Sequence, residues 1–374
     1  MLIALAAVQG AALLLLIARL LPGRHRAPPV APSVSCDPAH GDVSIVVATL
    51  QEAARIGPCL EGLIAQGPIV REILVVDSGS TDGTTALVES AARRDPRIRL
   101  LRDDPLPAGW VGKVWALEHG LRHARGTWML GIDADTIPDP GLAGGAVSAA
   151  AAAGYDAVSF SPRFRIVSAA ERWLQPALLV TLVYRFGAAG TDADPERVMA
   201  NGQCFLARRA MLLAEGGYAS ARTSFSDDVS LARNLARKGY RVGFLDGARL
   251  YDVRAYSGAR EVWREWGRSL DLSDSTTPFR QWGDVALLLI AQGSALPGLL
   301  LGLLLGVQPL LITSGSFVVI RVLLQFALAG SYARRGWAFW LSPLADPLAA
   351  LRIALSTVHR PRRWRGREYT FHTP

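Results

Sequence analysis

Apolar residues mass at the two ends of this chain and recur in short blocks through its middle. Residues 2–21 (LIALAAVQGAALLLLIARLL) hold one charge, Arg19, and are long enough to cross a bilayer as a helix. Two more apolar stretches, 285–306 and 309–330, follow towards the C-terminus. Arg321 falls inside the second, where a charge is costly unless it faces protein or a polar cavity. A last stretch, 337–358, carries Pro343, Asp346, Pro347 and Arg352 and reads as re-entrant or interfacial rather than as a span. In the middle, the β-branched run 43–48 (VSIVVA) precedes helical spacing over 52–65. A strand at 72–76 (EILVV), a helix over 81–93, a strand at 98–101, a helix over 113–125 and a strand at 127–132 follow. Strands alternating with helices predict an α/β fold with a mostly parallel sheet covered on both faces. Ligands in such sheets bind outside the carboxyl ends of the strands. Asp77, Asp82 and the pair Asp133 and Asp135 fall at such ends.

Composition supports a membrane association. Half of the 374 residues are hydrophobic and the mean hydropathy is +0.23, high for a purely soluble protein. A signal peptide is the competing reading of residues 2–21. The positive residues Arg24, His25 and Arg26 follow the apolar run rather than precede it, which favours a retained anchor. Counting basic flanks then places the residues after the first span in the cytoplasm, and two further spans return the chain there at Arg334 and Arg335. The predicted organisation is an anchor at 1–22, a Pro-rich linker at 23–42, a catalytic domain at 43–282, a membrane region at 283–358 and a basic cytoplasmic tail at 359–374. The expected location is the inner membrane, multi-pass, with the catalytic domain cytoplasmic. Net charge is +8, which an anionic membrane surface and a phosphate-bearing substrate explain; no nucleic-acid motif is visible. The three cysteines, Cys36, Cys59 and Cys204, are scattered and lack metal-ligand spacing, so a reducing compartment and no disulfide framework are expected.

The segment 128–136 (WMLGIDADT) carries the most chemistry. Two carboxylates one residue apart at the end of a buried strand repel each other unless something positive lies between them. Oxygen ligands suit Mg²⁺ or Mn²⁺, and Mg²⁺ commonly binds through one or two carboxylates and substrate phosphates. A polar strand-to-loop turn is the bland alternative. Lys113, after Trp110-Val111-Gly112 at a helix start, suits a diphosphate.

The order of 43–52, then 75–84 (VVDSGSTDGT), 109–117 (GWVGKVWAL), Asp133-Ala134-Asp135, Asn201-Gly202-Gln203 and Asp227-Asp228 resembles the family 2 glycosyltransferases over roughly residues 43–270. The resemblance implies the nucleotide-sugar-binding GT-A fold. With the GWVGK segment and the apolar C-terminus it points to the membrane-bound branch that glycosylates lipids such as carotenoids and hopanoids. The implied reaction moves a hexose, with inversion, from a UDP- or GDP-hexose to a hydroxyl of a lipid acceptor. A polyprenyl-phosphate sugar synthase, a polysaccharide synthase and a non-catalytic protein retaining the fold are the alternatives. Asp77 and Asp82 match the nucleotide-binding acids, though a tight turn and helix cap also account for them. Glu52 keeps its place in the first motif, but Thr49 and Gln51 depart from the family's usual Pro-x-Arg/Tyr-Asn-Glu. Asp135 matches the metal ligand, with Asp133 on ribose or on the metal through water. Asp228 matches the catalytic base, and adjacent Asp227 raises a pKa in the pair; capping of the following helix is the competing role. Gln203 is placed on the sugar, and Arg264 and Trp266 loosely match a Gln/Arg-x-x-Arg-Trp gate for diphosphate and acceptor. An interfacial aromatic belt is the other reading of that segment. Residues 173–186 are apolar enough for a core helix or for a membrane-lying floor beneath the acceptor.

Overall fold

A computed structural model of the chain describes residues 2–358 except 36, 255, 257 and 271, together with 363–364 and 367–368. The chain forms two compact units that interleave in sequence. One consists of Ala27–Phe164, Asp192–Ala255 and Arg362–Pro374; the other of Met1–Arg26, Arg165–Thr191 and Tyr256–Pro361. Residues 165–191 and 256–282, which fall within the span 43–282, thus group with the apolar helices, and residues 27–42 group with the sheet. Most of the basic tail at 359–374 lies outside the described residues, as does Cys36.

The first unit is built on strands β1 (Val43–Thr49), β2 (Val70–Asp77), β3 (Ile98–Arg102), β4 (Trp128–Asp133), β5 (Thr136–Pro138), β6 (Ala157–Ser161), β7 (Arg163–Phe164), β8 (Cys204–Arg208), β9 (Val242–Asp246) and β10 (Tyr251–Val253). Seven make one sheet in the order β3-β2-β1-β4-β8-β6-β9. β3, β2, β1 and β4 run parallel, β8 runs antiparallel to β4 and β6, and β9 is parallel to β6. β5, β10 and β7 form a small second sheet. Six of the seven residues of β1 are buried, as expected of a strand covered on both faces. Val43, Ile45 and Val47 share a core with the helices Ile56–Ile64 and Leu142–Ala153. Val46, pointing the other way, meets Gly120 of the helix Gly112–His123. Register aligns Thr49 with Asp77 and Ala48 with Asp133, so the carboxyl ends of β1, β2 and β4 open onto one edge.

The second unit is helical. Leu2–His25 and Gln308–Ser331 are long and apolar enough to cross a membrane, and the pair Pro278–Gly293 and Ala295–Leu305, bent by 47°, would make a third span. The stretch 337–358 is not one helix; it breaks into Gly336–Trp340, Ser342–Ala345 and Asp346–Val358. The helix Ala169–Phe186 begins with a capping box between Ser168 and Glu171 and packs against those three pieces. Arg19 Nη1 donates to Asp284 Oδ1 at 2.9 Å, joining the end of the first helix to the start of the bent pair. Ala295–Leu305 and Gln308–Leu328 follow as a hairpin. Inside it, Arg321 Nε donates to both oxygens of Asp346 at 2.8 and 3.0 Å, Nη1 to Gln325 Oε1 at 2.6 Å and Nη2 to Ser342 Oγ at 3.2 Å. The charge that was costly in an apolar stretch is therefore paired with one on the broken segment.

Candidate active site

The carboxyl edge of β1, β2 and β4 gathers most of the residues singled out in sequence. Asp77 ends β2 and is 2% exposed. Its Oδ2 accepts the backbone N–H of Gly79 and Ser80 at 3.2 and 2.9 Å, and its Oδ1 accepts Thr49 Oγ1 at 3.2 Å. Asp82 is exposed, yet both of its oxygens are engaged. Oδ1 accepts Thr84 N–H at 3.1 Å and Thr84 Oγ1 at 2.6 Å, and Oδ2 accepts Ala53 N–H at 3.0 Å. The Thr84 hydroxyl first, and these amides after it, hold the Asp82 carboxyl below the usual aspartate range. Both acids thus shape the loop after β2 as well as facing the edge. Glu52 is buried, and its N–H donates to Thr84 Oγ1 at 2.9 Å.

Gln51 shows why the first motif looked atypical. Its φ is +56°, a region that side chains other than Asn and Asp rarely adopt, and the family's usual residue there is Asn. Gln51 is held in place by its N–H on Ser80 Oγ, its Nε2 on Thr81 Oγ1 and its Oε1 accepting Thr81 N–H, at 2.9, 3.0 and 3.2 Å. Trp110 packs edge-on against Trp115, with ring centroids 5.3 Å apart. Trp115 Nε1 donates to Asp103 O at 2.7 Å.

Only Asp133 ends the strand, because β4 stops there and Ala134-Asp135 make a two-residue turn into β5. Thr136 Oγ1 donates to Asp133 O at 2.8 Å and Arg254 N–H to Asp135 O at 3.4 Å, so the orientation of Asp135 is set by this turn.

Lys113, in the first turn of Gly112–His123, ion-pairs with Asp133 Oδ1 at 2.7 Å. Burial opposes its charge, but the carboxylates of Asp133, Asp227 and Asp228 outweigh burial and hold it protonated above the usual lysine range. Asp227 and Asp228 open the helix Asp227–Arg237. Asp228 Oδ2 accepts the N–H of Gly202 at 2.6 Å, so it reaches across to the loop before β8. Gly202 is confined: a Cβ there would lie 3.1 Å from Lys113 Nζ and 3.5 Å from Asp228 Cβ. Gln203 N–H donates to Asn201 Oδ1, and its Oε1 accepts Asn201 Nδ2, each at 3.0 Å. Burial pushes the Asp227 carboxyl up to about 7, with Lys113 pulling it down and Asp228 pushing it further up. Burial likewise raises Asp228, opposed by Lys113 and by the N–H groups of Val229 and Gly202.

Arg264 and Trp266 belong to the helical unit, apart from this cluster in the division of the chain. Among residues that sequence reading passed over, Glu118 is the clearest. Its buried carboxylate accepts Tyr218 N–H and Arg122 Nε, each at 2.8 Å, tying the Lys113 helix to the segment that leads into Asp227. A buried acid on an otherwise apolar helix face was the signal. Cys59 and Cys204 are buried free thiols.

Three comparisons bear on this arrangement. Residues 44–217 match the family described as Glycosyl transferase family 2. The chain is 36% identical over 145 residues to the succinoglycan biosynthesis protein ExoO of Rhizobium meliloti (strain 1021), covering 37% of this chain and 40% of that one. It is 30% identical over 211 residues to ExoA of the same organism, also a succinoglycan biosynthesis protein, covering 54% and 60%. The match thus spans about two fifths to three fifths of the length of these curated relatives. The solved mannosyltransferase PcManGT from Pyrobaculum calidifontis, in complex with GDP-Man and Mn²⁺, aligns with a TM-score of 0.56 at 23% identity, over 96% of this chain and 98% of that one. That likeness is one of fold. Over residues 44–217 the chain is thus similar to the glycosyl transferase family 2, on a fold shared with the solved mannosyltransferase.

Proposed function

We propose that the chain is an inverting, metal-dependent glycosyltransferase that moves a hexose from a nucleotide sugar to a hydroxyl of a membrane-held acceptor. The observation that carries this reading is the cluster of Lys113, Asp133, Asp227 and Asp228 at the carboxyl edge of the sheet. Glu52, Asp77 and the loop shaped by Asp82 would take the nucleoside, since strand-end carboxylates accept from ribose hydroxyls and base N–H groups. Lys113 would trade its bond to Asp133 for the sugar diphosphate. Gln203 would contact the sugar.

Among the described residues no group of three or more His, Cys, Asp or Glu is placed to hold a metal. A hard cation that draws most of its ligands from phosphate and water needs fewer, so the oxygen donors of the Asp133–Asp135 turn fit Mg²⁺ or Mn²⁺ and not an all-protein cage. Asp135 would be the main ligand, with Asp133 assisting once Lys113 turns to the diphosphate. When bound, the cation neutralises charge on the departing nucleoside diphosphate. Asp228 takes the proton of the acceptor hydroxyl, whose oxygen forms the bond to the anomeric carbon as the bond to the diphosphate breaks. One displacement inverts that carbon, and burial, which raises the Asp228 carboxyl above its ordinary range, suits a base.

The apolar unit supports a lipid-borne acceptor and a location in the cell membrane, its basic flanks on the cytoplasmic side. Arg264 and Trp266 would meet that acceptor. The acceptor is a carotenoid- or hopanoid-like lipid alcohol in one version. The names of ExoO and ExoA, both succinoglycan biosynthesis proteins, favour a second version in which it is a lipid-linked saccharide. The test is to incubate membranes holding the full chain with radiolabelled UDP-glucose or GDP-mannose and Mn²⁺, and to identify the labelled lipid by mass spectrometry. A label found only in free sugar, or none at all, would count against the reading.

A further inference from the structure

The segment Val262–Trp266 forms a π-helical turn, a rare geometry that recurs at functional sites. Two side chains of the helix Asp346–Val358 hold it. Arg352 Nε donates to Trp263 O at 2.6 Å and Nη2 to Arg264 O at 3.2 Å. Arg352 Nη1 donates to Ser356 Oγ, which donates to Gly267 O at 3.0 Å. The guanidinium also lies 5.7 Å from the centre of the Trp263 ring. Gly267 permits this approach, because a Cβ there would lie 2.5 Å from Arg352 Cγ and 2.7 Å from Nε. The other end of the same helix is fixed by Asp346 on Arg321. The turn presents Arg264, whose side chain is 69% exposed and pairs with its neighbour Glu265, a pairing worth little at such exposure. It also presents Trp266, whose ring lies 6.3 Å from that of Tyr256.

We propose that Arg352 is a positioning residue for transfer: by fixing two successive carbonyls it sets the direction in which Arg264 and Trp266 meet the acceptor. This rests on the transfer reading above. The planar fork of arginine reaches both carbonyls at once, which a lysine ammonium on a flexible stem cannot do. The broken segment 337–358 is then a scaffold for the acceptor-facing turn as well as a membrane element.

The experiment compares the full-length wild type with R352A, R352K and G267A in detergent. Radiolabelled UDP-glucose and GDP-mannose are supplied with Mn²⁺ and with the lipid extract of the expressing membranes. Transfer into lipid is measured beside release of free sugar to water, and trypsin cleavage after Arg264 is followed by mass spectrometry. The expected result is a fall in the ratio of transfer to hydrolysis by about tenfold or more in all three variants, with cleavage after Arg264 faster by a similar factor. An unchanged ratio, a proportional fall of both reactions, an R352K variant equal to wild type, or an unchanged cleavage rate would overturn the proposal. A wild type that neither transfers nor hydrolyses removes the transfer reading itself. An active wild type with an unaffected ratio removes only the role of Arg352.

Discussion

Two groups of charge, one at the sheet edge and one in the helical unit, differ in balance. At the carboxyl edge of the sheet one cation, Lys113, faces three acids, Asp133, Asp227 and Asp228. In the helical unit Arg321 meets Asp346 one to one, and Gln325 and Ser342 take other donors of the same guanidinium. An excess of acid cannot satisfy itself. It raises carboxyl pKa values and draws in a cation or a proton, which is what a transfer site needs. A matched pair with polar neighbours is closed to chemistry and instead joins two segments that apolar packing alone would leave free to part. Similar ingredients therefore suit the proposed reaction in one place and architecture in the other.

The largest effect should come from Asp228→Asn, which keeps size and the bond from Gly202 but removes the proposed base. Transfer should fall about 10³-fold with the thermal midpoint unchanged, read from initial rates with labelled donor. Near-normal transfer would take the base role from Asp228. Next, Asp346→Ala should leave Arg321 buried without its counter-ion and cost about 3–5 kcal/mol of stability, measured by unfolding in detergent. The double replacement Arg321→Met with Asp346→Leu should recover most of that loss. If each single variant is as stable as wild type, the pair does not hold the segment.

Lys113→Met should slow transfer about tenfold or more and move the acid limb of the pH–rate profile. The proposed base acts as a carboxylate, so in the wild type the rate should rise with pH as the Asp227–Asp228 pair, raised by burial, ionises. Removing the ammonium that favours ionisation moves that rise to higher pH by about one unit. A profile that stays in place would show that Lys113 does not tune the pair. The same raised pKa means that Asp227 contributes stability below its ordinary carboxyl range and loses it as pH rises through about 7. The smallest effect belongs to Asp82→Ala. It removes three bonds from the loop after β2 and should cost about 1–2 kcal/mol, with donor KM rising more than kcat falls.

Much of this contrast was legible in the sequence, for identifiable reasons. Apolar β-branched runs ending in acids marked the ends of β2 and β4 to within a residue, because a strand covered on both faces must be apolar almost throughout. Arg321 and Asp346 were visible as misplaced charges in apolar stretches, though not as partners. The mixed half of the sheet, β6, β8 and β9, was not read. Its pairings join residues some 50 to 85 positions apart, and no local periodicity records them. Asp135 was placed at the end of a strand, yet a turn governs it. Glu118 was passed over, and Arg352 was noted only as a charge in an apolar stretch, because their value lies in whom they meet.

The order of motifs and the run of hydrophobicity by themselves pointed to an α/β domain resembling the family 2 glycosyltransferases, joined to helices apolar enough for a membrane. Local sequence can do this because propensity and periodicity are properties of neighbouring residues. Only the tertiary structure decided that Lys113 pairs with Asp133, that Asp228 reaches the loop at Gly202, that Gln51 adopts a positive φ, and that Arg352 fastens the turn bearing Arg264 and Trp266. Each of these depends on distance and burial between residues far apart in the chain, and burial is what turns a surface charge into one that must find a partner.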